Sequence, residues 1–175
     1  MSAAARLARE LRREDDLLAS AVLEPAPGVS GGPAARAAAG PRTRDRADEY
    51  ELLVEAIYEG YLLHYGCSRL LRCEDSDLAL LAGDRLYALG ITRLVALGDV
   101  DAVSELADVI ALCALAHASE DIGLADAVWE AGARAVGWGS SPEYRAAKEA
   151  ARTGAPGAAD ALRTAARGPE TARRR

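Results

Sequence analysis

The stretch Leu78–Leu97, LALLAGDRLYALGITRLVAL, decides the fold class. Leucine and alanine dominate it, and both are strong helix formers. The polar residues that interrupt it are Asp84, Arg85, Thr92 and Arg93. A helix that is apolar on nearly every side needs neighbours all round, so we expect it at the centre of a helical domain. It is predicted to begin after an N-cap at Ser76 and to end at Gly98.

Two glycines and one acid mark this predicted helix. Gly83 and Gly90 are seven residues apart, about two turns, and therefore lie on one face. Because glycine lowers helix stability, the pair indicates that the backbone of another helix packs closely there. Asp84 lies beside the first glycine, where we expect it to be buried and paired with a neighbouring helix. The sequence therefore predicts a structural role for Asp84 and a loss of stability in Asp84→Ala.

The stretch belongs to a predicted helical core domain at 45–154. An amphipathic helix is predicted within residues 1–23, and a weak helix with a basic tail within 155–175. Residues 24–44 are predicted to form a linker or long surface loop that is mobile, because glycine and proline are dense there, with transient helix in its short alanine runs. These helix breakers are Pro25, Pro27, Gly28, Gly31, Gly32, Pro33, Gly40 and Pro41.

The other helices of the core domain have clear start and stop signals. Helices are predicted over 45–65, 100–118 and 121–136, the second of them capped by Asp99. Ser141-Pro142-Glu143 indicates a further helix start, with serine at the cap and proline in the first turn; this helix ends near Gly154. No segment alternates with a period of two, so the sequence predicts an all-α helical bundle.

Acidic residues recur along one side of the helix predicted over 45–65. Tyr50, Val54, Ile57 and Tyr61 define its apolar side. The acidic positions on the opposite side are Asp48, Glu51, Glu55 and Glu59. We interpret this acidic stripe as a face exposed to solvent.

Composition limits the classes of function. The net charge of −6 disfavours a nucleic-acid partner, because phosphate binding needs a basic surface. Three cysteines do not make a disulfide framework, and an odd number suits a reducing compartment. No signal-peptide pattern begins the chain, and no apolar run is long enough to span a bilayer. These features predict a cytoplasmic protein without a membrane span.

The two histidines are the first candidates for chemistry. A ferritin-like di-iron site needs the motif Glu-x-x-His on two helices. Here the residue three positions before His64 is Tyr61, and the residue three positions before His117 is Ala114, so the glutamates are missing. His64, Cys67 and Cys73 could bind zinc only with irregular spacing and an added fourth ligand, so reduced thiols are the simpler interpretation. His117 falls on an apolar stripe and is predicted to be a hydrogen-bonded core residue.

Several segments resemble the trans-polyprenyl diphosphate synthases. Ala79–Leu86, with its Ala-Gly-Asp-Arg-Leu, is similar to the Gly-Asp helix of that family, and Leu97-Gly98-Asp99 continues the likeness. Glu55–His64, ending in Leu-Leu-His, is similar to the family helix that leads into the first aspartate-rich motif. Pro142-Glu143-Tyr144 with Lys148 is similar to a later family segment. The resemblance covers about residues 50–150 and implies a truncated isoprenoid synthase fold.

The residues by which the family binds magnesium are missing. The resemblance implies two aspartate-rich motifs whose Mg²⁺ ions hold the allylic diphosphate. Tyr65-Gly66 stands where the first cluster would follow His64, and the nearest acids are Asp75 and Asp77. A second cluster has no counterpart, and the family's diphosphate-binding basic motif appears at most as Gly31-Gly32 with Arg36, without the lysine. We therefore assign no catalytic, metal-binding or cofactor-binding residue. Gly83, Asp84, Gly90, His64 and His117 remain as structural or packing candidates.

Three functions are compatible with this pattern. The first is a non-catalytic partner or regulatory subunit of a prenyl synthase, or a homodimer, in isoprenoid biosynthesis. The second is a stand-alone binding or structural protein, one that holds a prenyl or lipid chain in a cavity of the bundle. The third is residual prenyltransferase activity, which alone would require Mg²⁺.

Overall fold

A computed structural model describes residues 1–13, 18–25 and 32–168 of the chain. Parts of the predicted first helix, of the predicted linker and of the basic tail, including Arg173–Arg175, lie outside these residues. Eight α-helices and two short 3₁₀ turns occur in the described ranges, so the all-α fold class is confirmed there. The helices are α1 Ala3–Arg13, α2 Gly32–Ala38, α3 Ala47–Tyr65, α4 Ser76–Leu97, α5 Val100–Ala118, α6 Ile122–Trp138, α7 Pro142–Arg152 and α8 Ala158–Arg167.

Helices α3 and α6 form the interior of the bundle. Helix α3 contacts α1, α2 and α4, and α6 contacts α2, α5, α7 and α8. Ten residues of each helix are buried, most of them apolar. A second apolar cluster, beneath α1, joins α1 to α3, to α4 and to Leu70 and Leu71 of the connector between α3 and α4.

Helix α4 lies at the edge of the bundle, and its predicted central position is wrong. One face, including Ala82, Gly83 and Gly90, is buried against α3. The opposite face leaves Leu81 67 % and Val95 60 % exposed. An apolar pattern around a helix shows that burial on every side is favourable, but it does not show that the chain supplies enough neighbours to achieve it.

Helix α2 occupies part of the segment that was predicted to be a linker. Ala34 and Ala37 are buried, and the helix packs between α3 and α6. Thr43, after the helix, is also buried, and its hydroxyl donates to the Ala37 carbonyl at 2.7 Å. Small alanine side chains let a short helix fit between two others, and this tertiary contact outweighs the breaker-rich local sequence.

Side-chain caps begin α4, α5, α6 and α7. Asp75, not Ser76, is the N-cap of α4, because its carboxylate accepts hydrogen bonds from the backbone N–H groups of Asp77 and Leu78. Asp99 caps α5 and Ser141 caps α7, as predicted, and Asp121 caps α6. Gly98 ends α4 in the left-handed conformation that glycine adopts most easily, with φ at 76°. Local signals thus set these boundaries to within about one residue.

Candidate functional site

The contact between α3 and α4 is made backbone to backbone at glycines. A Cβ added to Gly83 would lie 3.1 Å from the carbonyl oxygen of Gly60, and one added to Gly60 would lie 2.9 Å from that of Gly83. A Cβ on Gly90 would overlap Ile57 and lie 3.0 Å from the carbonyl oxygen of Leu53. The sequence suggested such an approach at Gly83 and Gly90, but it did not identify Gly60 as the facing residue.

His64 packs over this glycine contact. Its ring is stacked on Tyr87 with centroids 5.1 Å apart and an interplanar angle of 6°. Its Nε2 lies 3.2 Å from Oδ1 of Asp84, without the alignment of a hydrogen bond. The Asp84 side chain is 71 % exposed, so the expected burial of this acid is wrong. Adjacent helical positions are rotated by about 100°, and Asp84 therefore points away from the contact that Gly83 makes.

Asp84→Ala should change the free energy of unfolding by less than about 1 kcal/mol. The carboxylate is largely exposed, and exposed ion pairs contribute about 0–1 kcal/mol. Chemical denaturation of the variant and the parent checks this expectation. Leu86→Ala, at a fully buried position of the same helix, is the positive control and should lose about 2–5 kcal/mol. A loss of more than about 2 kcal/mol in Asp84→Ala would contradict the exposed position.

His117 belongs to an aromatic cluster at the C-terminal end of α3. A 2.9 Å hydrogen bond joins its Nε2 to the hydroxyl of Tyr61, and its ring is stacked on Tyr65 with centroids 4.2 Å apart. Burial raises the pKa of Tyr61 above its usual range. The ring of Tyr61 also lies 5.6 Å, edge to face, from Trp129 of α6. This cluster packs the C-terminal ends of α3 and α5 against the middle of α6. The Tyr65 ring also lies 5.8 Å from the ring of His64, so both histidines contact Tyr65.

One side of α4 points away from α3. We call it the outer face of α4 and define it by Leu81, Ala88 and Val95, which recur every seven residues. All three are exposed, and Leu80, which is 46 % exposed, borders them. Asp84 and Arg85 are exposed on the same side. An apolar stripe with one acid and one base is typical of a helix that packs against another helix.

Two acids of α3, Glu55 and Glu59, are buried. The interpretation of the acidic stripe as a face exposed to solvent is therefore wrong for these two residues. Glu55 is 4 % and Glu59 0 % exposed. The Arg69 guanidinium donates to Glu59 at 2.6 Å and to Glu55 at 2.9 Å. Glu59 also accepts from the Ser68 hydroxyl at 2.7 Å and from the Arg69 backbone N–H at 3.0 Å. The connector after α3 folds back and covers the acids, which a single-helix pattern cannot anticipate.

The free energy of unfolding should fall as the pH rises from about 5 to 7. Burial raises the pKa of Glu55 from 4.5 to about 7, although Arg69 opposes the shift. The folded state therefore keeps a proton that the unfolded state loses in this range, and linkage sets an upper limit of about 3 kcal/mol. Urea denaturation at several pH values measures the slope. Glu55→Gln should flatten this dependence of the unfolding free energy on pH. Glu49→Gln, at an exposed position of α3, should leave it unchanged. Equal slopes in the parent and in Glu55→Gln would contradict the raised pKa of Glu55.

A second buried ion-pair network joins α5 to α7. The Lys148 ammonium, 9 % exposed, donates to Glu105 and to Asp108, both at 2.7 Å. Arg152 donates to the other oxygen of Asp108 at 2.9 Å from a more exposed position. The Lys148 ammonium also lies 4.9 Å from the centre of the Tyr144 ring. The sequence alone does not pair Glu105 or Asp108 with Lys148, because these residues are 40 or more positions apart.

The three cysteines are free thiols in different surroundings. Cys67 is exposed, Cys73 is half-buried and Cys113 is buried. Burial raises the pKa of Cys113 to about 12, so this thiol is a poor nucleophile at neutral pH. In the part of the chain that the structure describes, no three His, Cys, Asp or Glu side chains are grouped in a way that could hold a metal ion.

Neither the hydropathy of the described helices nor a comparison with known proteins identifies a function. Within residues 1–13, 18–25 and 32–168, no helix combines the length and the hydropathy that crossing a bilayer demands. Compared with protein-family models, with curated proteins and with solved structures, the chain has no match.

Proposed function

We propose that this chain is a non-catalytic, polyprenyl-synthase-like protein with a truncated isoprenoid synthase fold, and that it acts as the partner subunit of an active polyprenyl diphosphate synthase. The proposal rests on the resemblance of residues 50–150 to that family. It assigns the chain a role in isoprenoid biosynthesis through association rather than through chemistry of its own.

The observation that carries the proposal is the outer face of α4. Leu81 and Val95 are each at least 60 % exposed, while the other side of the same helix packs at glycine contacts against α3. Contiguous apolar surface on a monomer is typical of a site where another protein binds. The exposed Asp84 and Arg85 balance in charge, so the face presents no net charge to a partner helix.

The residues at the family's first metal position do not fit Mg²⁺. Tyr65 follows His64, and its ring is stacked on His117. The Asp75 carboxylate is engaged by the backbone N–H groups that begin α4. Mg²⁺ needs clustered oxygen ligands, and these side chains do not supply them. We therefore derive no step of prenyl transfer through this chain.

Association would act on the partner through its shape. A helix that packs on an active synthase changes which conformations of the catalytic subunit are populated, and thereby the depth available to the growing chain. Product length is then the readout of function, because the active subunit supplies all of the catalytic groups.

Co-expression with intact polyprenyl synthases from the same genome tests the proposal. We expect co-purification and a change in product length, both lost in Leu81→Glu and in Val95→Glu, because burying an unpaired carboxylate is costly. Leu115→Glu, at a 45 % exposed position on α5, is the matched control and should leave both unchanged. A chain that stays alone with every synthase and never alters a product would overturn the proposal. Equal loss in the control variant would argue against the outer face of α4.

A further inference from the structure

A mostly apolar surface cleft of about 620 Å³ lies between α6, α8 and the start of α7. Four alanines form its floor. Two lie on each of two helices, about one turn apart. They are Ala131 and Ala135 of α6, and Ala161 and Ala165 of α8. The volume is in the range of about 300–1,000 Å³ that small-molecule sites occupy. The cleft is far in sequence from α4, and nothing in the proposed partner role uses it.

One cation, Arg134, is held at the edge of this cleft. Its guanidinium lies 5.0 Å from the centre of the Trp138 ring, one turn further along α6. On another side it meets the backbone of Gly168, where an added Cβ would overlap it. Among residues 1–13, 18–25 and 32–168, no carboxylate lies within ion-pair distance of Arg134. An arginine ordered by an aromatic ring and a backbone, but without an acid, is prepared to bind an anion.

We infer that this cleft binds a small organic anion with an apolar body. The carboxylate or phosphate group of the ligand pairs with Arg134. The apolar body lies over the alanine floor and against the Trp138 ring. The guanidinium presents parallel N–H donors that match either head group, and its preorganisation lowers the entropy lost on binding. The four small side chains leave room for a body the size of a short alkyl chain or an aromatic ring.

Glu143 also lines this cleft, and the position of its carboxylate limits affinity for an anion. It lies at the start of α7, and hydrogen bonds to its own backbone N–H and to Ser141 lower its pKa. The carboxylate is thus charged and engaged at the helix start. It repels an anionic head group that approaches from that side and so restricts the head group to the side of Arg134.

Trp138 provides a direct reporter for the test. The chain contains two tryptophans; Trp129 is 3 % and Trp138 38 % exposed. Octanoate added to the full-length protein should change the Trp138 emission saturably. Octyl phosphate, with the same chain, ranks the two head groups. Octanol lacks the charge and acetate lacks the apolar body, and neither should produce the change at equal concentration.

Variants separate the roles of charge and shape. Arg134→Gln should weaken octanoate binding by about tenfold or more, because it removes a charge-assisted hydrogen bond. Glu143→Gln should strengthen binding by about two- to fivefold through loss of a repulsion. Ala161→Leu, at an exposed position, should fill the cleft and abolish binding while the melting temperature is retained. Arg13→Gln, at an exposed position of α1, is the charge-matched control and should change nothing.

Competition with the anionic dye 8-anilino-1-naphthalenesulfonate provides an independent measurement. The dye should be displaced by octanoate in the parent protein and should bind weakly to Arg134→Gln and to Ala161→Leu. Equal affinity of octanol and octanoate, or unchanged octanoate binding in Arg134→Gln, would overturn the inference. Loss of synthase association in the tests of α4 would leave it standing, because the two sites share no residue.

Discussion

Replacing Arg69 by alanine should lower the free energy of unfolding by about 3–5 kcal/mol. Arg69 is the cation that faces two buried acids, Glu55 and Glu59, and it binds both through its side chain. Its removal leaves the buried Glu59 carboxylate without a cation and Glu55 without its side-chain donor, which costs far more than the ion pairs contribute by themselves. The cost also reaches the connector, because Arg69 holds it against α3.

Urea denaturation at pH 7 measures this loss, with Arg72→Ala as the matched control. Arg72 lies on the same connector, its side chain is exposed, and its replacement should change stability by less than about 0.5 kcal/mol. If Arg69→Ala does not fold, adding Glu55→Gln and Glu59→Gln should restore folding, since uncharged amides carry a smaller desolvation cost. A loss below about 1 kcal/mol, or no recovery in the combined variant, would show that the network is not held by this charge balance.

Lys148→Met should destabilise the protein by a similar amount, about 3–5 kcal/mol. Methionine keeps an unbranched apolar stem of comparable length, so the change mainly removes the ammonium. Glu105, which is 8 % exposed, then loses the cation that it contacts at 2.7 Å. Asp108 keeps Arg152, so most of the effect should come from Glu105.

A matched pair of variants isolates that contribution. Arg152→Met removes the outer cation of the same network, whose side chain is 45 % exposed, and should lose less than about 1 kcal/mol. Combining Lys148→Met with Glu105→Gln should recover a large part of the stability. The parent, Lys148→Met, Glu105→Gln and the combined variant form a double-mutant cycle, which thermal and urea denaturation measure. Equal losses in Lys148→Met and Arg152→Met would contradict the burial of the inner pair.

Tyr144 shows why this network was not visible in the sequence. In the sequence, Tyr144 and Lys148 carry no signal beyond their resemblance to a family segment. Burial raises the pKa of the Tyr144 hydroxyl, and the nearby Glu105 raises it further. Lys148 and Glu105 are separated by 43 residues, and no local rule pairs residues at that distance.

The glycines of α4 indicate from the sequence that a helix packs closely, but not which helix it is. Gly83 and Gly90 indicated a close helix contact, because nothing in an isolated helix favours two glycines on one face. Which helix lies there was not encoded locally. The structure places α3 against both, with Gly60 opposite Gly83.

The sequence by itself determined the helical class and most helix boundaries. Leucine- and alanine-rich periodicity favours helices, and the caps at Asp99 and Ser141 and the stop at Gly98 depend on groups within a few residues of one another. Local chemistry is sufficient for such features, because the hydrogen bonds concerned close over three or four positions.

Only the tertiary structure decided which faces are covered. Leu78–Leu97 was expected at the centre, yet α3 lies there, and the outer face of α4 is exposed. Glu55 and Glu59 were expected in solvent, yet Arg69 covers them. Burial depends on how many neighbours the rest of the chain supplies and where they pack, and this is a property of the whole bundle. The same physical reason places the proposed docking surface on a helix whose sequence was typical of a core.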